Sequence, residues 1–442
     1  MIKVCVAGLW HLGLVTASGL ADLGYEVTGF EDDAGQIENF NKAQLPLFEP
    51  GLEDLVGREL KNGSLRFESD AEKAVKGAAV ILVTYDTPVN DNDEVDLSPI
   101  EKVIERLLPH LTAGALVVLN SQIPVGSCEK WQRTIEAKRP GAGIELVYAP
   151  ENLRLGHALE LFKKPDMIVI GSNTESARKK AETFYSLFTA EKFFVSWRTA
   201  EMSKHALNVF FATSISFANE IGNLCDAIGA DGMDIARILK QDSRIGKKAQ
   251  VRPGLGFAGA TLARDLRALQ RLGQKCHVPT RLTDSVYDIN QRQMLRVVEI
   301  LEECFLGNLR GKTVTVFGLT YKPGTSTLRR SASLEIMGFL KQKGALLRAH
   351  YPKANLDEYR GERVFDYFTD PYEAVRGAEA LLLLTEWPEY RELDYEKIKT
   401  LMGKTKLVLD AKNHLGALAL KQKGYDYFEI GRGQLKTAVK SC

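Results

Sequence analysis

Ile2-Lys3-Val4-Cys5-Val6-Ala7-Gly8-Leu9-Trp10-His11-Leu12-Gly13 is the stretch on which the fold turns. A six-residue, mostly apolar run ended by glycine predicts a buried strand, and the spacing beyond it predicts a helix. Strand, glycine turn and helix in that order form the frame of a GxGxxG fingerprint. In that fingerprint the first glycine allows a tight turn and the last lets helix pack on strand. The middle one lets a diphosphate approach the helix N-terminus. Gly8 and Gly13 keep the outer positions, but Trp10 takes the middle one. A second predicted strand, Val27-Thr28-Gly29-Phe30-Glu31, ends in a carboxylate at the distance expected of one that binds a ribose diol. Asp32 and Asp33 follow, so Glu31 is the best of three candidates. An acid there favours NAD over NADP by repelling a 2′-phosphate. The cofactor expected is NAD, held by Gly8, Trp10, His11, Leu12, Gly13 and Glu31. The other reading is a Rossmann-like lobe whose nucleotide site has closed.

Working outward, apolar runs at 2–7, 26–31, 79–84, 115–119 and 167–171 predict strands, with helical patterns at 100–108 and 175–187. Such alternation implies a mostly parallel, doubly wound sheet. Over 199–229 the period changes: Leu207, Phe210, Phe211, Phe217, Ile221, Leu224 and Ile228 recur at three- and four-residue intervals. They predict one helix of about 28 residues, about 40 Å long, whose stripe suits a core or subunit contact. Helical sequence continues to about 307, and strands at 313–317, 345–350, 380–384 and 406–409 then predict a second α/β region. The expected fold is α/β, with two Rossmann-like doubly wound lobes joined by a long central helix and a helical middle domain. Its boundaries are 1–198, 199–308 and 309–442.

Composition narrows the function. The 442 residues are 45% hydrophobic and 26% charged, the proportions of a globular protein. Lys+Arg number 58 against 57 Asp+Glu, a net charge of +1 that offers no surface for nucleic acid. No apolar run approaches the ~18 residues of a membrane span. The apolar N-terminus lacks a basic region beyond Lys3 and reads as structure, not as a signal peptide. Six scattered cysteines form no CxxC pair and no Cys/His cluster, which suits free thiols in a reducing cytoplasm and no metal site.

Several further segments carry a resemblance. Phe48-Glu49-Pro50-Gly51-Leu52, Asp86-Thr87-Pro88, Ser121-Gln122-Ile123-Pro124-Val125-Gly126 and Pro150-Glu151-Asn152-Leu153-Arg154 come in that order. Glu201, Lys204 and Asn208 follow at ExxKxxxN spacing, then Asn219-Glu220. Asp242-Ser243-Arg244-Ile245-Gly246, Gly318-Leu319-Thr320-Tyr321-Lys322-Pro323, Thr385-Glu386-Trp387 and 424–432 complete the set. Along nearly its full length the chain resembles the UDP-glucose/GDP-mannose dehydrogenases. These oxidise the C6 alcohol of a nucleotide sugar to a carboxylate in two hydride transfers to NAD.

The resemblance implies an N-terminal NAD lobe, to which Thr87 and Ser121 would contribute, and a C-terminal nucleotide-sugar lobe. It also implies a homodimer built on the long helix, and a UDP-hexose as the substrate class. Lys204 and Asn208 would hold the oxygen on C6, and a cationic lysine suits a developing alkoxide. Asp265 would orient a catalytic water, with Glu151 beside the chemistry. Lys322 and Arg329 would contact the diphosphate or sugar, and Arg244 would reach the sugar from a neighbouring subunit. Gly256, Phe257 and Gly259 would shape the substrate loop.

That loop departs from the family pattern GFGGxCxxKD. It reads Gly256-Phe257-Ala258-Gly259-Ala260-Thr261-Leu262-Ala263-Arg264-Asp265, with Thr261 in the place of the nucleophilic cysteine. A thioester needs a thiolate, and an alcohol needs a dedicated base before it can replace one. Leu155 also replaces the acid that ends the family's PEFLRE motif, and Ser326-Thr327 an acidic pair. Loss of the cysteine predicts one hydride transfer instead of two. Two other expectations stand beside this: a non-catalytic nucleotide-sugar binder or regulatory homologue, and an NAD enzyme for another substrate.

Overall fold

The computed structural model describes residues 2–90, 94–320, 322–324, 328, 330–352 and 363–433. Two compact units divide it, Met1–Ala206 and Leu207–Cys442.

The first unit holds strands β1 (Lys3–Ala7), β2 (Glu26–Phe30), β3 (Leu65–Glu68), β4 (Val80–Val83), β5 (Leu116–Leu119), β6 (Glu145–Tyr148), β7 (Ile168–Gly171) and β8 (Lys192–Val195). They form one sheet in the order β3-β2-β1-β4-β5-β6-β7-β8. All its pairs are parallel except β6 with β7. Period-two alternation sends Val4, Val6, Val80, Leu82, Leu116 and Val118 to one apolar core. The intervening Cys5, Ala7, Ile81, Val83, Val117 and Leu119 go to another. Both faces are therefore covered, which is why these strands read as continuous apolar runs. Each fully buried valine or leucine contributes about 1.5–3 kcal/mol.

The second unit holds β9 (Thr313–Phe317), β10 (Leu346–His350), β11 (Asp366–Phe368), β12 (Ala380–Leu383), β13 (Leu407–Asp410) and β14 (Asp426–Glu429). Their order is β11-β10-β9-β12-β13-β14, with every pair parallel. This repeats the 3-2-1-4-5-6 order of the first six strands of the larger sheet, although the two sequences show no evident repeat. The turns after the first strands match as well. Gly8 (φ +100°) donates its amide to Phe30 O at 3.1 Å, and Gly318 (φ +94°) donates to His350 O at 3.0 Å. A Cβ on Gly8 would stand 2.6 Å from Tyr85 Cδ2, and one on Gly318 would stand 2.4 Å from Thr385 Cβ.

The long helix spans Trp197–Ile228, 32 residues or about 48 Å. Helices Gly232–Gln241, Ala260–Cys276 and Arg281–Cys304 follow it, all in the second unit.

Candidate active site

The residues of the first fingerprint stand together at the end of β1. Helix His11–Asp22 begins after Trp10, whose φ of −80° is ordinary for any L-residue, so the backbone does not require glycine there. The Trp10 side chain is half exposed. The first helical amides, those of His11, Leu12 and Gly13, lie where a helix leaves N–H groups without intrahelical partners. A Cβ on Gly13 would lie 1.8 Å from Gly8 O, so the helix sits directly on the turn. Thr84 Oγ1 fastens that turn by donating to Gly8 O at 2.8 Å.

The three acids after β2 have three different fates. Glu31 turns back to the glycine turn: Oε2 accepts from the Leu9 amide at 3.0 Å, and Oε1 accepts from Tyr85 Oη at 3.0 Å and the Asp32 amide at 3.1 Å. Burial and the Glu31 charge together push the Tyr85 phenol up, so it stays a donor. Asp32 pairs with Arg106 at 3.1 Å. Asp33 caps helix Ala34–Phe40 by accepting from Gly35 and Gln36. A carboxylate offers about four acceptor positions. The described bonds fill three on Glu31, leaving one for a ribose hydroxyl. These residues fit a dinucleotide: a turn that admits no side chain at Gly8, the first amides of a helix and an acid at the second strand.

Thr87 and Ser121 are buried close by; Thr87 Oγ1 donates to Gln122 O at 3.0 Å and Ser121 Oγ to Val83 O at 3.4 Å. The start of the long helix grips both neighbouring loops. Glu201, fully buried, accepts from the Gly126 and Cys128 amides at 2.6 and 2.9 Å, capping helix Ser127–Lys138 from outside. His205 Nε2 bonds Ile123 O at 3.0 Å. Lys204 Nζ donates to Glu151 O and, at 3.0 Å, to Asn152 Oδ1. Glu151 thus meets Lys204 with its backbone, while its carboxylate accepts from the Leu153 amide. Both acceptors on Lys204 are neutral, so its charge is solvated without being cancelled.

In the second unit Asn208, one turn after Lys204 on the same helix, donates through Nδ2 to Asp265 Oδ2. Asp265 is completely buried. Thr261 is exposed on the first turn of helix Ala260–Cys276, one turn before Asp265. The loop 254–259 is clamped by Asn290 and Gln293, which sequence reasoning missed, and by Asn219, which it named without a role. Asn290 Oδ1 accepts from the Phe257 amide at 2.7 Å, and its Nδ2 donates to Phe257 O at 3.0 Å. Gln293 Nε2 donates to Gly254 O at 2.7 Å, and Asn219 Oδ1 accepts from the Gly254 amide at 3.0 Å. A Cβ on Gly256 would lie 2.3 Å from Asn290 Oδ1. The Gly259 amide donates to Arg330 O at 2.9 Å. No sequence signal marks Asn290, since its partner lies 33 residues away.

Arg244 lies at the surface and forks onto Asp242, through Nε at 2.9 Å and an NH2 group at 2.7 Å. Lys322 is half-buried, and its carbonyl accepts from Thr320 Oγ1 at 2.8 Å. Arg329, Ser326 and Thr327 lie outside the described residues. Where the first lobe presents Glu31 after β2, the second presents Tyr351 after β10, its hydroxyl 3.3 Å from Thr320 Oγ1. Among the described residues no His/Cys/Asp/Glu group could hold a metal, and no helix is long and apolar enough to cross a membrane.

A doubly wound lobe with an acid after its second strand, followed by a lysine-bearing helix and a second such lobe, defines a nicotinamide-dependent oxidoreductase. The chain belongs to the UDP-glucose/GDP-mannose dehydrogenase family. Its NAD binding domain matches residues 2–189, its central domain 198–292 and its UDP binding domain 315–417. UDP-glucose 6-dehydrogenase TuaD of Bacillus subtilis is 33% identical over 435 residues, 98% of this chain and 94% of that protein. UDP-glucose 6-dehydrogenase of Rhizobium meliloti is 33% identical over 437 residues, 98% of this chain and 100% of that protein. Among solved structures, a UDP-glucose dehydrogenase from Pyrobaculum islandicum superposes with a TM-score of 0.87 at 33% identity, covering 95% of this chain and 96% of that one. A UDP-D-ManNAc dehydrogenase from Pyrococcus horikoshii gives 0.86 at 26% identity, covering 98% and 100%.

Proposed function

We propose that this protein oxidises the C6 alcohol of a UDP-hexose with NAD and stops at the aldehyde, a single reversible hydride transfer. The observation that carries the reading is the Lys204 and Asn208 pair, one turn apart on one helix, with Asn208 bonded to buried Asp265 and Thr261 one turn before it. Bound NAD supplies the hydride acceptor. Gly8 would let its diphosphate approach the turn, and His11, Leu12 and Gly13 would hold it by backbone amides, with Trp10 beside them. Glu31 would hold its ribose, and Thr87 and Ser121 would shape the wall beside it.

The Lys204 ammonium stabilises negative charge on the C6 oxygen, and the Asn208 amide orients that oxygen. Asp265 fixes the Asn208 amide and orients water. Glu151 acts through its carbonyl, which aims Lys204. Gly256, Phe257, Gly259, Lys322, Arg329 and Arg244 would bind the nucleotide sugar, the last from a second copy. Phe210 (75% exposed) and Ile228 (73%) on the long helix suit burial against that copy as a homodimer.

A second oxidation by thiol chemistry has no sponsor at Thr261. The nearest histidine in sequence, His277, caps the far end of the same helix, about 24 Å along its axis. Burial holds the Cys5 thiol up to about 12 and pushes Cys128, under Glu201, well above its ordinary value. Neither serves as a thiolate. The test is NADH appearance with UDP-glucose and mass analysis of the sugar. One NADH per sugar with a trapped aldehyde supports the reading. Two with uronate refute the single transfer, and none despite binding of both ligands points to a non-catalytic binder.

A further inference from the structure

Glu49 has no part in the reading above, yet it is only 4% exposed, in the turn before helix Leu52–Asn62. Its Oε2 meets His11 Nε2 at 2.7 Å and the Gly156 amide at 2.7 Å; its Oε1 accepts from the Ala158 amide at 2.7 Å. Glu49 takes a hydrogen bond from His11 in the tautomer that carries its proton on Nε2. The three donors come from two places with different duties. His11 is the first residue of the helix that starts at the glycine turn. Gly156 and Ala158 close the loop whose Glu151 and Asn152 hold Lys204.

We propose that Glu49 is a positioning residue that joins the cofactor end of the first unit to Lys204: one buried carboxylate fixes the first turn of the cofactor helix and the lysine-holding loop together. The inference rests on the functional reading above for the duties of the helix and of Lys204. A buried acid with charge-assisted bonds to both sides transmits order from one to the other, because freeing either leaves a buried acceptor short of a donor.

The test combines amide exchange, NAD binding and turnover on the full chain. In the wild type, NAD slows exchange at Gly156 and Ala158 by about tenfold or more. In Glu49→Gln and in His11→Ala that NAD-dependent slowing is lost. Each variant binds NAD about 5–30-fold more weakly, and the double variant binds no worse than Glu49→Gln alone. Turnover at saturating NAD falls about tenfold in Glu49→Gln and less in His11→Ala, which keeps the Gly156 and Ala158 bonds.

Additive losses of NAD affinity, slowing that persists in Glu49→Gln, or undiminished turnover in that variant would each overturn the inference. A thermal melt separates misfolding from uncoupling; should Glu49→Gln fail to fold, His11→Ala carries the test alone. A wild type that binds NAD but oxidises no nucleotide sugar refutes the functional reading, while exchange and binding still decide the Glu49 link.

Discussion

Replacing Asn290 by alanine removes two hydrogen bonds and puts nothing in their place. Asn290 is 3% exposed and holds both the amide and the carbonyl of Phe257. Truncation leaves a buried N–H and a buried C=O unsatisfied, each costing about 1–3 kcal/mol. Water entering the vacated space pulls the sum toward its lower end, about 3 kcal/mol. Asn290 lies in the unit Leu207–Cys442, and for a unit of that size each kcal/mol moves the melting temperature by about 2–4 °C. Scanning calorimetry of the full chain should therefore show one transition displaced downward by about 6–12 °C. Hydride transfer should slow with it, since the clamped loop leads directly into the helix bearing Thr261 and Asp265. A shift below about 2 °C would mean that Phe257 finds other partners and that the clamp reasoning is wrong.

Thr261→Cys places a thiol on the first turn of a helix, where a thiolate is favoured. NADH yield per sugar should rise from one to two with uronate accumulating, and an unchanged yield would show that the Leu155 change or another feature blocks the second step. Glu31→Gln replaces an acceptor of three donors by an amide that can satisfy fewer; NAD affinity by calorimetry should fall about tenfold or more, and the preference over NADP should narrow. Burial lowers His350 to about 4 from 6.5, so between those values the unfolded chain binds a proton that the folded one does not. Its contribution is fully present above pH 6.5 and lost as pH falls toward 4, with a slope of up to about 1.4 kcal/mol per pH unit. Burial raises Asp410 and Glu429, which act in the opposite sense at the acid end. The difference in urea stability between wild type and His350→Gln isolates the histidine and should shrink as pH falls across that window.

What sequence could and could not reveal follows from burial. The strands legible as apolar runs, β1, β2, β4, β5, β7, β9, β10, β12 and β13, all lie inside a sheet. The ones missed include all four edges: β3, β8, β11 and β14. Leu65-Arg66-Phe67-Glu68 alternates charge with apolar residues, and Asp426-Tyr427-Phe428-Glu429, though buried at three of four positions, begins and ends in an acid, so neither reads as an apolar run. The interior strand β6 was missed too, a four-residue run beginning with Glu145. Lys204, Asn208 and Asp265 stood out through the family resemblance, and the fold bonds the second of them to the third. Strand position favoured Glu31 among three consecutive acids, and folding shows that it is the one that turns back to Leu9. Asn290 and Gln293 act over long separations in sequence and leave no local pattern, and the motif that contains Glu49 does not show that its carboxylate reaches His11, Gly156 and Ala158.

The far end of the long helix sets a schedule for synthesis. Glu201, Lys204 and His205 find their partners in chain already made when the helix emerges. Asp226, near its other end, accepts from the amides of Gly431 and Gly433, and the first of these lies 205 residues downstream. At about 5–20 residues per second, a ribosome needs about 10–40 s to deliver it. During that interval Asn208 and Asn219 already have partners in Asp265 and the Gly254 amide, so the helix is fastened from its start inward. Through it the Asp226 carboxylate, buried in the folded chain, waits for these two amides, so the C-terminal end of the long helix is the last part of it to be fixed.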